Sequence, residues 1–208
     1  MKATSKPIRS LSISLAMVAA SAQSFAAQTG VKGMAVAYPW VFEHGHKDAW
    51  TTTVSTAGEI LQKAGYAPIP TATAQAAWTS HNYPAPTFGN LPSKARLLAF
   101  GKALHARKVL YGSVSWHTRS IWVNLGPRTI STATINAYVL DVATGKVEYT
   151  KKKIEGRSDE KANGYKIAAD ILVTPLVTAV SGGPATPQEQ RAVQIGLAVA
   201  YESWIKKK

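Results

Sequence analysis

Two apolar-alternating runs joined by Thr144–Gly145 limit what this chain can fold into more than any other feature. Val109-Leu110-Tyr111-Gly112-Ser113-Val114 reads as a buried strand. Ala133 to Thr150 reads as two antiparallel strands closed by a tight turn, in which Gly145 supplies a positive φ. A segment of this kind folds only as part of a sheet, so the flanking helical patterns must supply the layers that cover it.

The compartment is set by the first residues. Lys2, Lys6 and Arg9 precede an apolar run from Leu11 to Ala20, and Ser24 and Ala26 place small residues three and one positions before a cut. This predicts a secretory signal peptide over residues 1–26, with cleavage after Ala22 as second choice, and a single domain over residues 27–208. The apolar run falls short of the ~20 residues that cross a bilayer, and no later segment qualifies, so no transmembrane span is expected after cleavage. The expected location is the periplasm or the secreted fluid.

Three of the 24 basic side chains and none of the 11 acidic ones go with the leader, which leaves a net charge of +10. The remaining ~180 residues are enough for one ordinary domain with its own core. There are no cysteines, which excludes disulfides, thiolate metal sites, cysteine nucleophiles and amino-terminal lipidation on cysteine.

Along the chain, Gly33 to Tyr38 predicts a buried strand ending at Pro39, and Ala49 to Ala64 a helix stopped by Gly65. Tyr66-Ala67-Pro68-Ile69-Pro70 predicts a short edge strand. Thr71 to Pro92 reads as a long loop, helical at most over Thr73 to Trp78. Pro92 opens a helix from Ser93 to Ala106, with Leu97, Phe100 or Gly101, and Leu104 at helical spacing. Ser158–Asp159–Glu160 starts a further helix whose buried face would be Ile167, Ile171, Leu172 and Val177, shortened by Pro175. Thr186–Pro187–Gln188–Glu189 is a capping box for the last helix, whose buried face is Val193, Leu197, Tyr201 and Trp204. The expected fold is an α/β (α+β) sandwich. It has a mixed sheet of about five strands, with a long antiparallel hairpin near 108–155, packed by helices, two of them at the C-terminus.

This order of elements resembles a bacterial envelope domain shared by the curli-secretion channel protein CsgG, the amino-terminal domain of TolB, and outer-membrane activators of penicillin-binding proteins. The matching motifs are Ala103-Leu104-His105-Ala106-Arg107-Lys108 leading into the Gly112 strand, and the Asp141-Val142-Ala143-Thr144-Gly145 turn. These motifs are structural, so the resemblance implies a fold and a role in envelope binding or assembly, without enzymatic activity and without a catalytic residue. The chain departs from many relatives in having no lipid-bearing cysteine. It also shows no clear pair of amphipathic barrel strands of about ten residues each, which argues against a curli-type pore.

Between Glu59 and Asp141 there is no acidic residue, whereas Lys63, Lys94, Arg96, Lys102, Arg107, Lys108, Arg119 and Arg128 all fall there. Such a stretch suits an anionic cell-wall or membrane component or an acidic envelope protein. The alternative is a solvated face balanced in space by Asp141, Glu148, Asp159 and Glu160. Lys151–Lys152–Lys153 reads as protection of an edge strand, and Lys206–Lys207–Lys208 as cations at a helix C-terminus. Export argues against nucleic acid as partner.

Trp116-His117-Thr118-Arg119-Ser120-Ile121-Trp122 is the strongest candidate site. Trp116, His117, Arg119, Trp122 and Arg128 are the expected partner-binding residues, set in an irregular stretch from Trp116 to Arg128. An extended backbone there would put Trp116 and Trp122 on one face with Thr118 and Ser120. The alternative is that both indoles pack beneath neighbouring loops.

A second reading, from a different class, is a small secreted metal-dependent hydrolase using His44 and His46 with a distant carboxylate or His117. The His-x-His pair needs a third ligand from elsewhere. Gly112-Ser113-Val114-Ser115-Trp116 lacks the second glycine of a hydrolase elbow, and the phosphate-binding glycine patterns are missing, so no cofactor is implied. A third reading is a homo-oligomer built through the sheet edges.

Overall fold

The computed structural model of the protein describes residues 30–43, 47–123, 126–159 and 187–207. In chain order its elements are β1 (Met34–Phe42), α1 (Lys47–Lys63), β2 (Ala67–Pro68), α2 (Thr71–Ser80), α3 (Lys94–Ala103), β3 (Lys108–Val123), β4 (Gly126–Asp141), β5 (Lys146–Arg157) and α4 (Pro187–Ile205). The strands make one five-stranded sheet in the order β2-β1-β3-β4-β5. β1 runs parallel to β2 and β3, while β3, β4 and β5 form an antiparallel meander, so the sheet is mixed as expected.

Alternation along the strands decides which helices cover which face. Leu110 and Val114 of β3 and Ala133, Ile135, Ala137 and Val139 of β4 point to a core shared with Val54, Ala57, Ile60 and Leu61 of α1 and with α4. Val109 and Tyr111 of β3 and Leu140 of β4 point the other way, onto Ala74 and Trp78 of α2 and Leu97 and Phe100 of α3. The result is a three-layer α/β sandwich. α4 lies against β4, β5 and α1 and buries Val193, Leu197, Tyr201 and Trp204, the face expected from its periodicity. The other expected C-terminal helix, from Ser158 onward, lies outside the described residues beyond Asp159.

The β4–β5 turn matches the sequence reading. Gly145 has φ +64°, and the Asp141 carboxylate accepts the Thr144 amide at 2.9 Å to hold the turn. α1 ends at Gly65, φ +84°, as expected.

Three expectations are corrected. β1 does not stop at Pro39 but continues to Phe42, because Pro39 falls where the register with β3 shifts between Ala37 and Trp40, so its missing N–H interrupts no ladder bond. The helix allowed at most over Thr73 to Trp78 within the Thr71–Pro92 segment is longer than that. Residues 71–80 form α2, held by Trp78, which is buried among Tyr38, Tyr83 and Phe100 and donates its indole N–H to the Pro84 carbonyl at 3.1 Å. The stretch from Trp116 to Arg128 is not irregular either, since its described residues continue β3 and β4 as regular paired strands of 16 residues each. The long antiparallel hairpin expected near 108–155 is therefore present, and it runs unbroken through the stretch expected to interrupt it.

Candidate functional site

β3 and β4 outrun their neighbours. β3 pairs with β1 only as far as Val114, and β5 pairs with β4 only as far as Thr132, yet β3 and β4 remain paired to Val123↔Gly126. From Thr118↔Ser131 outward the two strands form a ribbon with no third strand among the described residues, reaching ~17–20 Å beyond the paired sheet at the usual rise per residue.

The root of this ribbon is fastened. The Thr118 hydroxyl donates to Glu189 in the first turn of α4 at 3.1 Å and shares a 2.8 Å hydrogen bond with Ser131. Ser131 is in turn bracketed by Ser158, whose hydroxyl accepts the Ser131 amide and whose amide donates to the Ser131 carbonyl. A two-stranded ribbon is marginal on its own, so these bonds fix the angle at which it leaves the body.

Alternation distributes the five expected site residues over two faces of the ribbon. Trp116 and Trp122 share the α4-facing side with Thr118 and Ser120, whereas His117 and Arg119 lie on the opposite side, where Arg128 pairs across from Ile121. The tryptophans differ in environment. Trp116 is half-buried against Phe42, with ring centroids 5.9 Å apart, while Trp122 is 84% exposed near the tip. His117, Arg119 and Arg128 are exposed. Arg128 lines a polar recess with Thr129, Ser158, Asp159 and Gln188. The Asp159 carboxyl is held below the usual carboxylate range chiefly by its hydrogen bonds from Arg157, at 3.1 and 2.9 Å, with Arg128 adding a weaker pull.

The basic stretch is balanced in part. Lys108 is buried and donates to Asp141 and to Glu148 at 2.6 Å each, and Glu148 also accepts the Trp204 indole N–H at 2.9 Å. Burial disfavours the Lys108 ammonium, but the two carboxylates outweigh it and raise its pKa. Burial likewise works against the Asp141 carboxylate, yet Lys108 and the Thr144 amide bring its pKa down to about 2.

At this same end of the hairpin, opposite the ribbon tip, lies a cleft lined by Lys32, Tyr66, Arg107, Lys108, Asp141 and Lys207. Sequence reasoning did not find it, because its cations come from three separated places in the chain and only the topology gathers them. His44 and His46 lie outside the described residues, and among the described residues no group of three or more metal-ligating side chains occurs. No helix among them is long and apolar enough to cross a membrane.

The fold and these two surfaces define an α+β protein with a mixed five-stranded sheet between two helical layers and one protruding ribbon. No family model and no curated protein matches the chain. Solved structures do. A lipoprotein, GNA1162, from Neisseria meningitidis is 14% identical over 68% of this chain and 94% of its own, with a TM-score of 0.45. The LpoB C-terminal domain from Salmonella enterica is 14% identical over 65% of this chain and 90% of its own, with a TM-score of 0.40. The hypothetical protein CT253 from Chlamydia trachomatis is 13% identical over 86% of this chain and all of its own, with a TM-score of 0.42. At these identities none of them assigns an activity to this chain.

Proposed function

We propose that this chain is an exported, non-enzymatic protein of the bacterial envelope that binds or assembles with an envelope partner, protein or anionic wall or membrane component, through the β3–β4 ribbon. The observation that carries this reading is Trp122, a large apolar side chain 84% exposed near the end of a ribbon that projects from the body. Large indoles are seldom left in water without a use, and Trp and Arg are the residues most enriched where binding energy concentrates. Arg119 and Arg128 give the ribbon a positive character suited to an anionic or acidic partner. The expected signal peptide supports placing that partner in the envelope.

A photo-reactive amino acid at position 122, compared with the same group at exposed Val147 on β5, tests the reading. The expected result in cells is one discrete cross-linked product from position 122 and none from 147, with loss of the product on Arg119→Gln and Arg128→Gln. Equal or no cross-linking from the two positions would remove the ribbon from the site.

A further inference from the structure

We propose that the cleft at the base of the β3–β4 hairpin is a binding site for phosphate monoesters. It is independent of the ribbon reading, because Lys108 and Trp122 lie near opposite ends of the 16-residue β3. The cleft is open to solvent on one side and has a volume of about 570 Å³. Lys32, Arg107, Lys108 and Lys207 bring positive charge to it, and the carboxylates of Asp141 and of Glu148 beside it are both engaged by Lys108 at 2.6 Å. Arg107 and Lys207 lie outside that Lys108 network and give the cleft a positive character suited to an anion.

The cations are held in place by the fold. The Arg107 side chain lies across Gly33, where a Cβ would stand 2.8 Å from its Cδ and would push it aside. Lys32 donates to the Ala64 carbonyl at 2.9 Å with its ammonium 5.9 Å from the Tyr66 ring centre, and Tyr66 stacks on Trp204. Neither Arg107 nor Lys207 has an ion pair among the described residues. A guanidinium offers two parallel donors to phosphate oxygens and lysines add mobile point charges, which is the usual chemistry of phosphate recognition. The C-terminal ends of α1 and α4 also lie here, and their carbonyls offset part of that positive character. Cations serving those carbonyls alone would show no preference among anions, which is what the test must separate.

The test is thermal unfolding of the purified protein in inorganic phosphate against sodium chloride of equal ionic strength, with flotation on phosphatidic acid and phosphatidylcholine vesicles as a second arm. The expected result is a saturable rise in melting temperature with phosphate alone. That rise should be at least about tenfold weaker in phosphate affinity for Arg107→Gln/Lys207→Gln, and unchanged for Trp122→Ala and for Lys151→Gln/Lys152→Gln. Selective flotation on phosphatidic acid, lost in the same cleft variant, would assign the monoester to a lipid headgroup; a phosphate response without flotation would assign it to a soluble ester. Equal effects of phosphate and chloride, or a cleft variant that responds like the parent, would overturn the proposal.

Discussion

Gly156 of β5 and Gly196 of α4 meet backbone to backbone. A Cβ placed on Gly156 would stand 2.2 Å from the Gly196 nitrogen and 2.3 Å from the Ala192 carbonyl oxygen. The obstacle is main chain, which no rotamer change can clear, so α4 must lift from the sheet to admit even a methyl group. Gly156→Ala is expected to destabilise the fold by about 2–3 kcal/mol, read as a lower urea midpoint at unchanged slope. A change below about 0.5 kcal/mol would mean that α4 is not seated as described.

The Lys108–Asp141–Glu148 cluster makes a prediction in pH. Asp141 titrates at about 2 when folded, below its ordinary value of 3.8, so it contributes stability above pH 4 that is lost as pH falls toward 2. The contribution is on the order of 2 kcal/mol. Lys108→Met leaves two partly buried carboxylates without their cation. It should cost about 3 kcal/mol at pH 7 and abolish the acid-side loss attributable to Asp141, so the gap between parent and variant should narrow steadily below pH 4 and close only near pH 2 in denaturant titrations. Parallel stability curves from pH 7 to pH 3 would contradict this assignment.

Most of the sheet could be read from the sequence because its signals are local. The Thr144–Gly145 turn, the Gly65 stop of α1 and the i, i+4 face of α4 each lie within a few residues. The ribbon could not be read that way. Its residues Thr118, Arg119, Ser120, Thr129 and Ser131 are polar, and periodicity reports burial on one face, which a projecting ribbon does not have. The same limit separated Trp116 from Trp122: both sit in one strand and one register, and only the position of Phe42 on β1 decides which is covered. The basic cleft was illegible because Lys32, Arg107 and Lys207 are brought together by the parallel β1–β3 crossover and by the docking of α4.

The two ribbon tryptophans should therefore separate in stability measurements. Trp122→Ala is expected to change unfolding free energy by less than about 0.5 kcal/mol, whereas Trp116→Ala, which removes the contact with Phe42, should cost about 1–2 kcal/mol. The fluorescence lost on Trp122→Phe, taken as the difference between parent and variant, should be quenched by acrylamide nearly as readily as free tryptophan. Strong protection of Trp122 in the isolated protein would mean that its surface is already occupied.

The bulge in β5 carries the last prediction. Lys153 has φ +55°, in the left-handed region that costs a lysine about 1 kcal/mol relative to glycine, and its amide is captured by the Asn136 side-chain oxygen at 3.1 Å. Asn136 is itself oriented by donating to the Ser113 hydroxyl at 2.9 Å, so one side chain spans β3, β4 and β5 where the β4–β5 register shifts between Ile135 and Ala137. Lys153→Gly should stabilise by about 0.5–1 kcal/mol, and Asn136→Ala should destabilise by about 1–2 kcal/mol through the lost amide acceptor. The lysine is kept at that cost because β5 is an edge strand and Lys151–Lys152–Lys153 opposes strand addition by a second molecule. Lys153→Gly should accordingly gain melting temperature yet aggregate faster than the parent at equal concentration, followed by light scattering, and slower aggregation would refute the protective role.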